Sequence, residues 1–365
     1  MKIEFARPDR EHEALRQELE EAAARVLRSG RFILGDEVAR FEESFARTTG
    51  ARFAVGLSSG TDALVTALHA LDVGEGDEVV VGVFGFVAAA EAVVRVGARP
   101  VFVDVEREAL ALDPEAVARA VSPRTRAIVS VDLFGVVHDL APVRRTAPGV
   151  PVVEDAAQAL GATLGSSNAG TLGDVGIFSF FPSKALGAAG DGGACVTSDE
   201  ACAARMAQIR THGAGRDQVW ERRGGNYRLD ALQAALLAVK LERLPERLAR
   251  RRLIGERLAA AARAAGGVPV VGPGACRPAF APLALRVAAP RRNDVLARLR
   301  ERGVDARVHY PVTLASCPPF APYAEGRAFP EAERATRELV SVPCHPEMTD
   351  DEVAYLASAL ADALR

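Results

Sequence analysis

Lysine is nearly absent from this chain of 365 residues. Lys2, Lys184 and Lys240 are the only lysines among 45 lysines and arginines, so arginine fills almost every position where a positive charge is enough. A retained lysine therefore indicates a need that arginine does not meet. Lysine supplies a compact amine, and the pKa of this amine falls on burial. A buried lysine can therefore act as a base or form a Schiff base.

The sequence also lacks the features of several other protein classes. The five cysteines are odd in number and fit no zinc or redox spacing, which favours reduced cysteines, no metal site and a cytoplasmic protein. No apolar run approaches the length of a membrane span, and the charged amino-terminal segment has no hydrophobic signal core, so we expect no membrane association. A net charge of −3 gives no reason to expect nucleic acid as a partner.

What the chain does contain is an alternation of short apolar runs and helical segments, from about residue 50 to about residue 245. DEVVVGV, PVFVDV and VPVVEDAA are short runs rich in β-branched residues, whereas TDALVTALHAL has leucines at helical spacing. Such an alternation is typical of a mostly parallel sheet covered by helices. The sequence therefore predicts a protein of the α/β class.

The last third of the chain has a different pattern. A long helical stretch, which we expect to be interrupted at Pro245, leads to the strand-like PLALRVAAP, the helix-like RRNDVLARLRERG and the closing helix TDDEVAYLASALADAL. We therefore predict two domains. Residues 1–245 form a large α/β domain with an amino-terminal helical segment, and residues 246–365 form a smaller α+β domain.

The stretch SFFPSKALGAAGDGG, from Ser179 to Gly193, places Lys184 in apolar surroundings. Between Asp174 and Asp191 no other residue is charged. The glycines of this stretch permit a close approach of the backbone, and Ser179 is suitably placed for a phosphate contact. A surface lysine without a special task is the alternative explanation.

The stretch SSGTDAL, residues 58–64, follows a predicted strand and begins a predicted helix. Unpaired backbone N–H groups at such a helix start, together with the hydroxyls of Ser59 and Thr61, could bind a phosphate. An ordinary helix N-cap explains the same residues without any ligand. Both explanations stay open at this point.

The stretch VVEDAAQALGA places Asp155 and Gln158 after a predicted strand, where open α/β sheets bind ligands. Asp155 could accept a hydrogen bond from a heteroaromatic nitrogen and hold that nitrogen cationic, with Gln158 near the same ligand. The alternative is that Asp155 caps a helix beginning at Ala156. In combination, a phosphate site, a carboxylate for a ring nitrogen and an isolated lysine fit pyridoxal 5′-phosphate, a cofactor that carries carbanion chemistry.

A fourth stretch, GGNYRLDALQAALL, places Asn226 and Arg228 in a glycine-rich loop. A helix follows it, and we expect Asp230 to be the N-cap. Polar residues in such loops are usually solvated, so the pattern by itself assigns no function to them.

These motifs resemble those of the DegT–DnrJ–StrS group of nucleotide-sugar aminotransferases, which have the aspartate-aminotransferase fold (fold type I). The resemblance covers almost the whole chain. It is carried by RFILGDEVARFEESFA, SSGTDAL, PVFVDVE, EDAAQALGA, SFFPSKALGAAGDGGA, NYRLDALQAALL and SVPCHPEMTDDEV. It implies a pyridoxal-phosphate-dependent enzyme with a large domain and a smaller carboxy-terminal domain.

The resemblance also implies roles for single residues. Lys184 matches the lysine that holds the cofactor and then transfers the proton, and Asp155 matches the residue paired with the pyridine nitrogen. Gln158 matches a residue near the phenolic oxygen, and Phe86 an aromatic that stacks on the ring. The residues matching phosphate ligands are Gly60, Thr61 and Ser179.

Asn226 matches an asparagine that reaches the phosphate in the neighbouring subunit's site. The resemblance thereby implies a homodimer with shared active sites. The residues that match substrate contacts in relatives are Phe181, Arg228, Arg307, His309 and Tyr310.

The resemblance implies L-glutamate as the amino donor and a keto nucleotide sugar as the acceptor, a 3-keto UDP- or dTDP-hexose in the first instance. Gly85, Asp132 and Phe181 depart from residues common in relatives, which leaves the acceptor open. Aminotransferases of the same family for a cyclitol or another keto substrate are alternatives. A pyridoxamine-phosphate-dependent sugar dehydratase would have histidine in place of Lys184, and a non-catalytic regulator would have lost the cofactor residues.

Overall fold

The computed structural model describes residues 1–215, 217 and 219–365. The helices in these residues are α1 Pro8–Ala14, α2 Arg16–Ser29, α3 Asp36–Thr49, α4 Gly60–Ala70, α5 Ala88–Arg95, α6 Pro114–Ala120, α7 Ala141–Thr146, α8 Glu200–Ile209, α9 Ala231–Ala264, α10 Ala289–Glu301, α11 Pro330–Glu338 and α12 Asp350–Leu364. The strands are β1 Phe53–Leu57, β2 Glu78–Gly82, β3 Arg99–Val103, β4 Thr125–Val131, β5 Val152–Asp155, β6 Thr163–Leu164, β7 Ser167–Asn168, β8 Val175–Ser179, β9 Gly193–Thr197, β10 Val268–Pro269, β11 Cys276–Arg277, β12 Leu283–Arg286 and β13 Leu339–Val342.

The central sheet has the strand order β1-β9-β8-β5-β4-β2-β3. β9 is antiparallel to both of its neighbours, β1 and β8, and every other neighbouring pair in the sheet is parallel. The predicted α/β class with a mostly parallel sheet is thus confirmed. Because β1, β8, β5, β4 and β2 run in one direction, their carboxyl ends meet at one edge, where ligands bind in sheets of this type.

Helices cover both faces of this sheet because its strands are apolar on both sides. In β2, Val79 and Val81 pack on the face covered by α4 and α5, whereas Val80 packs on the opposite face. The helices α2, α3 and α9 pack on one another over the opposite face near β8 and β9. The sheet is therefore a buried platform, and its loops and strand ends carry the groups that meet solvent.

Four phenylalanines fix the position of β8. Phe41 and Phe45 lie one turn apart on α3, and their rings meet those of Phe178 and Phe180 edge to face at centroid distances of 5.2 to 5.5 Å. Successive side chains of a strand point to opposite faces, so Ser179 between these two phenylalanines points to the other side. This packing holds Ser179 and the following loop, which carries Lys184, at the edge of the sheet.

The expected interruption at Pro245 is wrong, because α9 continues from Ala231 to Ala264 with Pro245 inside it. Leu244 is buried among residues of the large α/β body, and Ile254 and Leu258 are buried among residues of β12, β13 and α12. A single helix therefore joins the two hydrophobic cores. The second core belongs to a small antiparallel sheet of order β10-β12-β13, covered by α10 and α12. The domain boundary itself stays a prediction.

Candidate active site

A cavity of about 1340 Å³ opens at the carboxyl edge of the central sheet. Its walls come from the ends of β5 and β8, the start of α4, the amino-terminal residues and the segment that contains Arg300 to Tyr310. The predicted site residues that line it are Gly60, Thr61, Phe86, Asp155, Gln158, Ser179, Phe181, Lys184, Arg307, His309 and Tyr310. Asn226 and Arg228 are outside this lining within the described part of the chain.

The start of α4 presents free hydrogen-bond donors to the cavity. Ser59 is the N-cap, and its Oγ accepts a hydrogen bond of 3.0 Å from the N–H of Asp62. The N–H groups of Gly60 and Thr61 have no acceptor among the residues that the structure describes. The cap explanation is therefore right for Ser59, and it leaves two donors at the positive end of the helix dipole for an anion such as phosphate.

Two glycines allow the start of α4 to approach the ends of β8 and β9. A Cβ atom on Gly60 would lie 2.8 Å from the Cβ of Ser179. A Cβ atom on Gly193 would lie 2.4 Å from the backbone carbonyl of Ser59. Larger residues would push the helix away, so the close spacing of the free N–H groups and the Ser179 hydroxyl depends on these glycines.

Asp155 is the last residue of β5 and is only 6% exposed. Its Oδ1 accepts a hydrogen bond of 3.1 Å from the N–H of Ala157, and the residues that follow form turns rather than a regular helix. Asp155 is therefore no helix cap. Burial raises the pKa of Asp155 to about 6, against the opposing effects of the Ala157 N–H and the Lys184 charge. A cationic ring nitrogen placed beside this carboxyl would stabilise its ionised form.

Lys184 lies in the loop that follows β8 and is half-buried at the cavity wall. The backbone N–H of Lys184 donates a hydrogen bond of 2.8 Å to the carbonyl of Phe181, which closes a turn of the backbone over residues 181–184. Burial lowers the pKa of Lys184, while the Asp155 charge raises it and the Arg251 charge lowers it further. An amine with a lowered pKa is more often neutral, the form that acts as a nucleophile or a base.

Gln158 and Tyr310 form one hydrogen-bonded unit beside Asp155. Gln158 accepts a hydrogen bond of 2.8 Å from the N–H of Phe134 and donates one of 3.2 Å to the hydroxyl of Tyr310. Burial raises the pKa of Tyr310 to about 12, so its hydroxyl stays protonated at neutral pH. Phe86, whose ring centroid lies 6.4 Å from that of Tyr310, is 54% exposed and offers a free face to a planar ligand.

Arg307 and His309 lie near the amino terminus of the chain at the outer wall. Arg307 donates to both carboxylate oxygens of Asp305, at 3.0 and 2.7 Å, and its guanidinium lies 4.4 Å from the ring centroid of Phe5. The His309 ring packs against Phe5 at 5.5 Å, and burial lowers the pKa of this imidazole. Phe181 is exposed at the cavity lining. These residues are placed for substrate contacts, which stay a prediction.

Asn226 and Arg228 belong to a segment that runs beside the end of β1. The backbones of Arg228 and Leu57 form an isolated antiparallel β-bridge. The carbonyl of Tyr227 accepts a hydrogen bond of 2.9 Å from the N–H of Ser58. Asn226 is exposed. The segment therefore lies at the same sheet edge as the start of α4, but Asn226 does not contribute to this chain's own cavity.

Two functional candidates were missed by sequence reasoning. Arg251 on α9 lines the cavity although it is only 5% exposed, and nothing in the run RLARRRLIGERL distinguishes it from its neighbours. Lys240 is fully buried on α9 and donates a hydrogen bond of 2.6 Å to the carbonyl of Gly187, in the loop after Lys184. The scarcity of lysine was the signal that could have identified Lys240.

Three further observations bear on the classes considered from the sequence. Within residues 1–215, 217 and 219–365, no group of three or more His, Cys, Asp or Glu side chains is arranged to hold a metal ion. None of the helices in this part of the chain combines the length and apolarity needed to cross a membrane. All five cysteines are free thiols.

Residues 13–361 match the DegT/DnrJ/EryC1/StrS aminotransferase family. A relative from Geobacillus stearothermophilus, named a pleiotropic regulatory protein, is 38% identical over 360 residues, which are 97% of this chain and 96% of that protein. The UDP-2-acetamido-2-deoxy-3-oxo-D-glucuronate aminotransferase of Pseudomonas aeruginosa is 37% identical over 363 residues, which are 99% of this chain and 100% of that protein.

The fold agrees with that of a solved crystal structure. The X-ray crystal structure of S. venezuelae DesV in complex with a ketimine intermediate superposes with a TM-score of 0.94, at 36% identity, and the match covers 100% of this chain and 99% of that chain. The predicted fold and the predicted aminotransferase class are thus confirmed. The chain belongs to the DegT/DnrJ/EryC1/StrS aminotransferase family.

Proposed function

We propose that this chain is a pyridoxal-phosphate-dependent aminotransferase that moves an amino group from L-glutamate to a keto nucleotide sugar. The observation that carries the proposal is the convergence of Lys184, Asp155 and the free N–H groups at the start of α4 on one cavity. The Pseudomonas aeruginosa relative, named for a UDP-linked 3-oxo sugar, supports a 3-keto nucleotide sugar as acceptor. The product is an amino sugar for a polysaccharide or a secondary metabolite.

The residues at the cavity fit this cofactor at several points. The free donors at Gly60 and Thr61 suit its phosphate, with the Ser179 hydroxyl close by. The buried carboxyl of Asp155 suits a protonated ring nitrogen, because it has no hydrogen bond from a cationic side chain of the described residues. The exposed face of Phe86 suits stacking on the ring.

When bound, the cofactor supplies the electron sink that stabilises negative charge at the reacting carbon. Asp155, as a carboxylate, holds the proton on the ring nitrogen. Lys184 would hold the cofactor through its amine, and as a neutral amine it would remove the proton from the α-carbon of glutamate and later provide a proton to the sugar carbon that receives the amine. A positioned base of this kind contributes typically about 10²- to 10⁴-fold to the rate.

The homodimer with shared sites belongs to the same proposal. Asn226 is exposed beside the end of β1, at the sheet edge where this chain's free N–H groups lie, which supports a contact to the site of a second copy. Gln158 and Tyr310 are hydrogen-bonded to each other and line the same cavity as Asp155, which supports contacts of both to the cofactor. Their roles are part of the proposal.

The name of the Geobacillus relative favours a second candidate, a regulatory protein without catalysis. Such a protein would have no reason to keep a half-buried lysine and a buried carboxyl at one cavity beside two unpaired N–H donors. The presence of all these groups at one cavity supports the catalytic candidate. The presence of Lys184 likewise argues against a dehydratase with histidine at that position.

The visible absorption spectrum of the protein with pyridoxal phosphate tests the proposal. We expect a yellow band that disappears when L-glutamate is added, because the cofactor then carries the amino group. Lys184→Ala should lack the lysine-linked band and lose turnover, with an unchanged circular dichroism spectrum. A wild-type protein that forms no such band with the cofactor would contradict the proposal, and a band that is insensitive to glutamate would contradict the amino donor.

A further inference from the structure

A buried arginine without a partner lies in the wall of the cavity. Arg251 is 5% exposed, yet it lines the cavity. None of the hydrogen bonds or ion pairs of the described residues involves its guanidinium, whereas the neighbouring Arg250 and Arg252 both have partners. Buried charges in proteins are normally paired, because an isolated charge in an apolar site is unfavourable. The arrangement therefore indicates that an anion from outside the chain completes it.

The acids nearest to Arg251 are already bound by other cations. Glu11 forms ion pairs with Arg247 and Lys240, both at 3.1 Å. Glu347 forms an ion pair with Arg247 at 2.6 Å and contacts the His345 ring at 3.2 Å. These acids raise the pKa of Arg251 less than burial lowers it. The guanidinium thus keeps its capacity for a ligand.

The other cations of the described cavity lining are occupied or exposed. Lys2 is paired with Glu4 at 2.7 Å, and Arg307 is paired with Asp305. Arg300 is exposed and donates to the carbonyl of Ala306 at 3.0 Å. Arg251 is therefore the buried cation in this described lining that is free to bind an anion.

Arg251 lines the same cavity as Lys184. Its charge lowers the pKa of Lys184, so the two groups share one electrostatic environment. The free N–H groups of Gly60 and Thr61 already provide for a phosphate. A guanidinium presents two parallel N–H groups that match a carboxylate.

We propose that Arg251 binds a carboxylate of the amino donor beside Lys184. This inference rests on the proposed function, because L-glutamate is the substrate that brings a carboxylate to the reacting amine. A carboxylate or diphosphate of the sugar substrate has the same charge chemistry. The two half-reactions, one with glutamate and one with the keto sugar, separate these sources.

The test compares Arg251→Gln with Arg257→Gln, a matched change at an exposed position of the same helix. We expect the glutamate concentration for half-maximal loss of the yellow band to rise about 10- to 100-fold in Arg251→Gln, the usual effect of losing a hydrogen-bonded charge. Arg257→Gln should behave as wild type. The keto-sugar half-reaction, started from the aminated cofactor, should be unchanged in both variants.

A binding measurement that needs no chemistry accompanies the kinetics. Glutarate carries both carboxylates of glutamate without the amine, and titration calorimetry should show that Arg251→Gln weakens it by a similar factor. If wild type binds glutarate and the variant does not, while glutamate leaves the band unchanged in both, the carboxylate subsite stands and the proposed amino donor fails. Equal glutarate and glutamate affinities in the two proteins would overturn the inference, as would a defect confined to the keto-sugar half-reaction.

Stability distinguishes binding from a structural role. Removing an unpaired buried charge should raise the melting temperature of the cofactor-free protein, so we expect Arg251→Met to be at least as stable as wild type. A clear fall in melting temperature would show that Arg251 supports the fold and would count against the inference. Arg251→Lys keeps the positive charge but lacks the two parallel N–H groups of the guanidinium. We therefore expect it to bind glutarate more tightly than Arg251→Gln and less tightly than wild type.

Discussion

At the scale of single residues, burial acts in opposite senses on the two main groups of the site. It raises the pKa of Asp155 to about 6 and lowers that of Lys184, so both groups are biased towards their neutral forms. A ligand with a cationic ring nitrogen and an electrophilic carbon compensates both effects. We therefore expect such a ligand to stabilise the protein relative to its cofactor-free form.

The first prediction concerns the pH dependence of stability in the cofactor-free protein. Asp155 binds its proton more tightly when folded, since its pKa rises from 3.8 to about 6, so stability is lost as pH rises from about 4 to about 6. Asp155→Asn should remove this loss and unfold in urea with a free energy up to about 3 kcal/mol higher than wild type at pH 8, with little difference near pH 4.

The difference between variant and wild type isolates Asp155 from other groups that titrate over this range. The exposed Asp294, changed to Asn in the same way, should give no pH-dependent difference. An Asp155→Asn protein that is less stable than wild type at pH 8 would mean that the ionised carboxylate is stabilised by the fold.

At the scale of secondary-structure elements, local patterns predicted the central sheet well but failed at α9. The strands are short and apolar, and helices or glycine-rich loops separate them along the chain, so each one is recognisable without knowledge of its neighbours. Pro245 removes one helical hydrogen bond and strains a turn, at a cost of about 3 kcal/mol, and local chemistry alone predicts a break there. Leu244, Ile254 and Leu258 are buried in two different cores on either side of it, and that packing keeps the helix continuous.

Lys240 connects α9 to two other elements and gives the second prediction. Its Nζ contacts Glu11 on α1 at 3.1 Å and the carbonyl of Gly187 at 2.6 Å, and it is 1% exposed. Removing one partner of a buried ion pair is strongly unfavourable, so Lys240→Met should lower the free energy of unfolding by about 3 kcal/mol. It should also weaken cofactor binding, because the loop that carries Lys184 loses an anchor.

The matched control is Lys2→Met, since Lys2 forms an exposed ion pair with Glu4 that should contribute nothing measurable. Urea unfolding without cofactor measures stability, and titration with pyridoxal phosphate measures the loop effect. A Lys240→Met protein as stable as Lys2→Met would show that the buried contacts are not needed for folding.

At the scale of the whole molecule, the sequence located the part of the site that follows from topology. Asp155 and Ser179 end parallel strands, and Gly60 begins a helix after a third, so all reach one edge once the sheet is parallel. Arg251 could not be found in this way. It lies in the middle of a helix, far along the chain from the strand ends.

Only the folded structure distinguishes Arg251 from its neighbours Arg250 and Arg252. Successive residues of a helix point about 100° apart, so three consecutive arginines face three different environments. Arg250 pairs with Asp350 at 2.6 Å, and Arg252 donates to the carbonyl of Gly161 at 3.0 Å. Arg251 faces the cavity instead. Which of the three serves the site is therefore a property of tertiary packing.

The last prediction concerns assembly. Asn226 is exposed and lies outside this chain's own cavity, so under the proposed shared sites it should act on catalysis in the site of a second copy. Asn226→Asp, which in the proposed dimer would place a negative charge near the phosphate of the other copy, and Lys184→Ala should each be inactive alone. In a mixed dimer one site combines both defects, while the other has an intact Lys184 from one chain and an intact Asn226 from its partner.

Mixing the two inactive proteins under conditions that allow subunit exchange should therefore restore aminotransferase activity, and size-exclusion chromatography should give the mass of a dimer. Mixing Lys184→Ala with Asp155→Asn is the matched control. Those two residues line the same chain's cavity, so every site in the mixture keeps a defect. If the sites are shared, one of the two sites in each mixed dimer must be intact. No recovery of activity in the first mixture, despite demonstrated subunit exchange, would therefore mean that Asn226 acts in its own chain's site or has no role in catalysis.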